Sequence, residues 1–505
     1  MPNHLYDSLF APHAQKDSAF MHLPSGDVLS YAEFMNLAAR VANVLVGLGL
    51  EVGDRLAVQV EKSEFALALY AACVQSGIVY LPLNTAYTAQ ELEYFVQNSG
   101  AKVLVCDASK ADDLTPLSTK LGITLTTLDP SGTGQLQKAA MNASEYFNPV
   151  ERGPDDLAAI LYTSGTTGRS KGAMISHNNL LSNARSLCAA WRFDERDVLL
   201  HALPVFHTHG LFVATNIMLL AGGAMIFLPK FDLDAIFAHL PRATSMMGVP
   251  TFYTRLLSDA RLTKEACAHI RLFVSGSAPL LNETHVQFQE RAGHAILERY
   301  GMTETNMNTS NPYDGERRPG TVGFPLADVE LKITDPQTGH PVGDGEIGQI
   351  EVRGANVFQG YWKMPEKTRE ELREDGFFIT GDLARRDKDG YIHIVGRNKD
   401  LIISGGYNIY PKEIETLLDE QEGVEESAVV GLPHPDFGET PVAFLVSKSG
   451  AQINQSEIEK VIADHLARFK HPKRLIVLEE LPRNTMGKVQ KNLLREQYNK
   501  LFSMA

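Results

Sequence analysis

Apolar residues recur at helical spacing over Phe34, Leu37, Ala38, Val41, Leu45 and Leu48, which predicts an amphipathic helix with one face on a core. The pattern then changes: Arg55 to Val60 reads as a strand, Glu64 to Val74 as a helix and Ala101 to Cys106 as another strand. Alternation of this kind through roughly the first 390 residues predicts sheets covered by helices on both faces. Ala158 to Tyr162 is a short apolar strand leading into a glycine-rich loop. Beyond the loop, Asn178 or Asn179 is expected to cap a helix carrying Leu181, Ala184, Leu187, Cys188 and Trp191. Leu211 to Leu228 is apolar enough to suggest a membrane span. Thr215-Asn216 interrupts that character and Gly222-Gly223 breaks the run, so a buried helix, a turn and a buried strand are predicted instead.

The pattern shifts near Thr380. A turn-rich stretch, Thr380-Gly381-Asp382 and Asp387-Lys388-Asp389-Gly390, precedes a strand from Tyr391 to Val395, and Gly396-Arg397-Asn398-Lys399-Asp400 follows as the best linker. Past the linker come a helix opening at Pro411, a strand over Ser427 to Leu432, a helix over Ser456 to Phe469 and a strand over Arg474 to Leu478. The expected fold class is α/β. A large N-terminal domain of βα subdomains covers 1–396, a hinge 397–400, and a small mobile α+β C-terminal domain 401–505.

Composition narrows the function. At 505 residues the chain exceeds one ordinary core. A formal net charge of −14 speaks against a nucleic-acid partner, while leaving room for a local cationic pocket. Cys73, Cys106, Cys188 and Cys267 lack CxxC spacing, so buried reduced thiols in a cytoplasmic protein are expected, with no zinc site. No cationic segment followed by an apolar run opens the chain, so neither a signal peptide nor a membrane partner is expected.

The strongest chemical signal is Tyr162-Thr163-Ser164-Gly165-Thr166-Thr167-Gly168-Arg169-Ser170-Lys171-Gly172. Its glycines let backbone approach a polyanion, and its hydroxyls and lysine supply donors to phosphate oxygens. The GxxxxGK[ST] spacing of a Walker A loop is absent.

With Arg299-Tyr300-Gly301-Met302-Thr303-Glu304, Thr380-Gly381-Asp382, Gly396 to Asp400, Ser404-Gly405-Gly406-Tyr407-Asn408-Ile409 and Pro482 to Lys488, this loop resembles the adenylate-forming enzymes. That family comprises acyl- and aryl-CoA synthetases, peptide-synthetase adenylation domains and firefly luciferase. The motifs stand in the family's order, and the resemblance spans essentially the whole chain. It implies that ATP and a carboxylic acid form an acyl-adenylate, and that the acyl group then passes to coenzyme A.

The resemblance also implies roles. Thr163, Ser164, Gly165, Thr166, Thr167, Gly168 and Lys171 would hold the β- and γ-phosphates, and Glu304, with Thr163, would hold Mg2+. Ser277, Ala278 and Pro279, with Gly276, would lie against adenine, where relatives often carry two glycines in place of Gly276-Ser277. Tyr300 would stack on the ring, with Glu298, Arg299, Gly301, Met302 and Thr303 around it. Asp382 would take the ribose hydroxyls and Arg397 the ribose or phosphate. Lys488 would bridge the carboxylate and the α-phosphate. A hinge at Lys399 would then bring Ser404, Gly405, Gly406 and Tyr407 in for coenzyme A. The same resemblance raises the prospect of a lysine-acylating regulator acting on Lys488.

His207, in Pro204-Val205-Phe206-His207-Thr208-His209-Gly210, resembles the family's histidine at the acyl pocket. His209 matches no family role, and Ser275 is assigned to the acyl side. Arg255, in Gly248 to Arg255, suits a second, distal carboxylate. The arginine at this place is a feature of malonate-activating members, so malonate is the expected acid. A medium-chain or aryl acid activated by the same two steps is the alternative.

Overall fold

The computed structural model describes residues 2–130, 133–163, 170–405, 407–484 and 487–502. Two large sheets form the body of residues 1–325. The first has six strands in the order Thr124–Thr127, Val103–Cys106, Arg55–Gln59, Val79–Pro82, Leu157–Thr163 and Lys171–Ser176, all parallel except the last hairpin. The second runs Phe324–Pro325, Asn306–Ser310, Leu297–Met302, Leu272–Ser275, Ser245–Gly248, Val198–His201, Ala224–Phe227, Ala19–His22 and Val28–Ser30. Helices Tyr31–Gly47 and Glu64–Ser76 fill the space beside these sheets; all but two residues of the second are buried.

The helix after the glycine-rich loop is His177–Ala190, and Ser176 caps it. Asn179 is the third residue of a reciprocal capping box, so the cap falls earlier than Asn178 or Asn179. Leu211 to Leu228 folds as expected: a π-helical turn His209–Ala214, the helix Thr215–Ala221, a left-handed Gly222 and the strand Ala224–Phe227. Among the described residues no helix is long and apolar enough to cross a membrane. The four cysteines are free, with Cys73, Cys106 and Cys267 buried.

The βα alternation ends sooner than the sequence pattern suggests. From Leu297 the chain makes antiparallel hairpins, and a four-stranded antiparallel sheet follows: Val329–Thr334, Gly348–Gly354, Phe378–Arg386 and Ile392–Arg397. Antiparallel pairs need only a tight turn, so no helix is required between them. Beyond Asp400, Ile402–Ser404, Tyr407–Ile409, Val424–His434, Gly438–Ser447 and Leu475–Leu478 form a separate sheet with its own apolar clusters. The predicted helix over Ser456 to Phe469 is shorter, Gln455–His465, with a 3-10 turn at Arg468–Lys470.

Candidate active site

Several of the side chains the sequence singles out gather where the second sheet, the antiparallel sheet and the C-terminal unit meet: Arg299, Glu304, Asp382 and Arg397 all act on Lys488. Asp382 and Arg397 are direct partners across the hairpin of Phe378–Arg386 and Ile392–Arg397. Arg397 Nε lies 2.7 Å from Asp382 Oδ1, and the Tyr300 hydroxyl donates to Oδ2 at 2.5 Å. Burial and the neighbouring Asp382 charge hold the Tyr300 phenol far above its ordinary pKa, so it stays a donor. Glu298, one residue from Arg299 on the same strand, turns its carboxylate to His285 Nδ1 at 3.2 Å. It serves the packing of helix Asn282–Ala292, and burial raises its pKa.

Glu304 sits in the turn closing the hairpin Leu297–Met302 and Asn306–Ser310. The close return of the strands demands Gly301, since a Cβ there would lie 1.9 Å from the Asn306 carbonyl oxygen. Glu304 Oε1 accepts from the Tyr361 hydroxyl at 3.0 Å and from Thr163 Oγ1 at 3.4 Å. Tyr361 also reaches Glu371 Oε2 at 2.6 Å. Lys171 Nζ lies 3.0 Å from the Tyr361 oxygen and 3.1 Å from Glu371 Oε2. Nothing in the sequence singles out Tyr361 or Glu371, which reach this cluster from outside the motifs. Ser164, Gly165, Thr166, Thr167 and Gly168 lie outside the described residues, as does Gly406.

On the acyl side, Ser275 ends its strand with a buried hydroxyl, and Tyr253 donates to the Val274 carbonyl at 2.6 Å. Gly276 is a close-approach position: a Cβ there would meet the Arg299 guanidinium at 2.3 Å. Ser277 has φ of 73°, a left-handed conformation that a glycine adopts without strain. The departure from two glycines therefore costs backbone energy here, and the Ser277 hydroxyl stands 3.3 Å from His209 Nδ1. Ala278 is half-buried and Pro279 exposed, as the chain leaves the cleft.

Arg299 is 4% exposed, and its Nε and Nη2 have no hydrogen-bond partner among the described residues. Desolvation pulls its pKa down to about 9. Its charge reaches His209, Tyr253 and Lys488. The resemblance groups Arg299 with the nucleotide, while its charge also acts on His209 and Tyr253, beside residues expected at the acid. Arg255 is exposed on helix Pro250–Leu257, with its guanidinium 6.0 Å from the Phe231 ring centroid. Half-buried His207 is pushed down to about 4, first by burial and then by Lys488.

Lys488 is carried by a turn in which Asn484 bonds the Lys488 amide and carbonyl, each at 2.9 Å. A Cβ added at Gly487 of that turn would lie 3.9 Å from the Thr251 methyl, at the start of the helix bearing Arg255. Lys488 is exposed on this turn. Desolvation and then Arg397 lower its pKa; Asp382 and Glu304 oppose that. Lys399 is exposed in the 3-10 turn Asn398–Asp400, with its pKa lowered mainly by burial of its ammonium end. Ser404 is buried, Gly405 is left-handed, and exposed Tyr407 stacks on Phe469 at 4.7 Å.

The AMP-binding enzyme family model matches residues 11–362, and that for the AMP-binding enzyme C-terminal domain matches 413–488. The chain belongs to the AMP-binding enzyme family. It is 34% identical to a malonate–CoA ligase of Arabidopsis thaliana, over 93% of this chain and 85% of that protein. ATP-bound MatB from Rhodopseudomonas palustris is 57% identical and superposes with a TM-score of 0.97 over 99% of this chain and 100% of that one. Apo MatB of the same organism, with the same identity and coverage, gives 0.85. The described arrangement thus matches the ATP-bound form more closely.

Proposed function

We propose that the protein is an ATP-dependent acid–thiol ligase that converts malonate to malonyl-CoA through malonyl-AMP. One observation carries the reading. Lys488, the Asp382–Arg397 pair and Glu304 converge on one cleft whose acyl side holds the buried Arg299 guanidinium, its Nε and Nη2 unpartnered among the described residues. An unpaired buried cation is expensive, and a dicarboxylate supplies the missing anion. The likeness to the Arabidopsis malonate–CoA ligase supports the same substrate.

In the first step a carboxylate oxygen of malonate attacks the α-phosphorus of ATP, and the bond to pyrophosphate breaks. Two anions must meet, and the Lys488 ammonium lies between them to offset both charges. Losing it should cost ~3–4 kcal/mol in the barrier, ~100- to 1000-fold in rate. Asp382, held by Arg397 and Tyr300, takes the ribose hydroxyls. Arg299, with Arg255 at the rim, takes the distal carboxylate; His207 stays neutral and donates or accepts a hydrogen bond.

The oxygen-only donor set at Glu304 and Thr163 fits Mg2+, which binds through one or two carboxylates and keeps several waters. When bound, that ion offsets phosphate charge.

In the second step the coenzyme A sulfur attacks the acyl carbon and AMP leaves. Residues 1–396, 397–400 and 401–505 act as core, hinge and mobile unit. Rotation at Lys399 withdraws Lys488 and brings Ser404, Gly405, Gly406 and Tyr407 to the site. Acylation of Lys488 by a modifying enzyme would remove its charge and stop the first step. The free, mostly buried cysteines support a cytoplasmic setting.

Acid-dependent AMP release, with and without coenzyme A, across malonate, methylmalonate, succinate, acetate, octanoate and benzoate tests the reading. A malonate optimum that needs coenzyme A for turnover is expected. Preference for octanoate or benzoate would discard the dicarboxylate pocket and keep the two-step chemistry.

A further inference from the structure

A lysine that the proposed reaction does not use is sealed beside the acyl side of the cleft. Lys62 follows strand Arg55–Gln59 and precedes Ser63, the N-cap of helix Glu64–Ser76. It is 7% exposed, and no carboxylate pairs with it among the described residues. Its Nζ lies 2.8 Å from Nδ1 and 2.7 Å from the carbonyl oxygen of His201, with the Phe227 ring centroid at 4.2 Å. His201, fully buried, ends strand Val198–His201, and its Nε2 lies 2.9 Å from the Gly210 carbonyl oxygen.

These partners assign the protons. A carbonyl only accepts, so the ring proton is on Nε2; Nδ1 is then an acceptor, and Lys62 must donate to it. A second Lys62 proton goes to the His201 carbonyl. An uncharged amine has two protons for these two acceptors. Burial holds the Lys62 pKa far below the ordinary lysine value, and the adjoining helix N-terminus acts in the same direction.

The other end of the chain of bonds is a loop that closes on itself. A Cβ at Gly210 would lie 2.1 Å from the Pro204 carbonyl oxygen, and the Leu211 amide bonds the His207 carbonyl at 2.8 Å. The Gly210 carbonyl also accepts from Thr215 Oγ1 at 3.0 Å. On this loop stand His207, whose pKa Lys488 helps to depress, and His209, in contact with Ser277.

We propose that Lys62 is a positioning residue for the acyl pocket: through His201 and the Gly210 carbonyl it fixes residues 204–210, and so sets His207 and His209 against the acid. The assignment rests on the ligase reading above. A buried amine costs stability that an apolar side chain of similar length would not, so a functional return is expected.

The test is Lys62→Met and Lys62→Gln, assayed by AMP release at varied malonate and varied ATP, with ATP affinity by calorimetry. Lys62→Met should raise the malonate KM about tenfold, a misplacement effect, and leave ATP affinity within about twofold. Lys62→Gln, whose amide offers two uncharged N–H donors, should recover most of the loss. An unchanged malonate KM in folded Lys62→Met overturns the proposal. Equal losses toward malonate and ATP also overturn it, since they mark a purely structural lysine. If Lys62→Met does not fold, the glutamine variant decides: near-wild-type malonate KM supports the proposal, and an about tenfold rise overturns it. A wild-type protein that releases no acid-dependent AMP sinks the ligase reading itself, a result distinct from any of these.

Discussion

Arg397 and Asp382 face each other across the last hairpin of the four-stranded sheet, Nε 2.7 Å from Oδ1, while Tyr300 holds Oδ2 from the neighbouring sheet. Both oxygens of the carboxylate are oriented by these two partners. Tyr300→Phe keeps the ring and removes one charge-assisted bond, worth ~1.5 kcal/mol. The ATP KM should rise about tenfold with little change in malonate KM. Steady-state kinetics with each substrate varied in turn checks this; an unchanged ATP KM would remove the hydroxyl from ribose recognition.

Lys171 is already occupied. Its ammonium pairs with Glu371 at 3.1 Å and meets the Tyr361 oxygen at 3.0 Å, although the sequence assigns it to phosphate. Polyphosphate must therefore compete with the Glu371 carboxylate for this cation. Glu371→Gln keeps the shape and removes the competitor, so the ATP KM should fall by about threefold at low ionic strength, with less effect at high salt. A weakened ATP affinity would instead make Glu371 a brace that holds Lys171 and Tyr361 around Glu304.

The motifs and their neighbourhoods were legible because close approach, charge and strand–loop junctions leave marks on local sequence. Gly276 lies against the Arg299 guanidinium, and Gly301 is required by the return of the hairpin at Asn306. The buried helix, turn and strand of Leu211 to Leu228 followed from apolar runs and a glycine pair. The antiparallel sheet beyond Leu297 did not, because short strands joined by turns carry weak periodicity. Tyr361, Glu371, Lys62 and His201 were invisible for another reason. Each acts through a partner dozens of residues away, Glu304 for Tyr361 and Lys171 for Glu371, and nothing local in the sequence records such a pairing.

Two arginines are candidates for the distal carboxylate, and they stand in different settings. Arg299 is buried with Nε and Nη2 unpartnered among the described residues, whereas Arg255 is exposed with its guanidinium 6.0 Å from the Phe231 ring centroid. A desolvated charge gains more from a carboxylate than a hydrated one. Arg299→Leu should therefore cost ~3 kcal/mol in malonate kcat/KM, over 100-fold, and Arg255→Leu about tenfold. Removing a buried cation without a partner should also raise the melting temperature of Arg299→Leu. Paired kinetics and thermal unfolding measure both effects; a larger loss in Arg255→Leu would return the distal carboxylate to the sequence-based assignment.

His207 titrates at about 4, below the 6.5 of a free imidazole, first through burial and then through Lys488. Between those values the unfolded chain binds a proton that the folded chain refuses. Stability should therefore fall as pH drops through 6.5 and go on falling until about 4, where the folded imidazole takes its proton. His207→Asn should flatten part of that slope in denaturant melts, and His177, also depressed to about 4, should keep part of the remainder together with buried His201 and His209, which burial holds well below the ordinary imidazole value. Imidazole resonances followed by NMR would show His207 uncharged at neutral pH. Lys488→Met, which removes the second cause, should move its midpoint part of the way back toward 6.5. A midpoint unmoved by that substitution would mean the ammonium and the imidazole do not share the cleft.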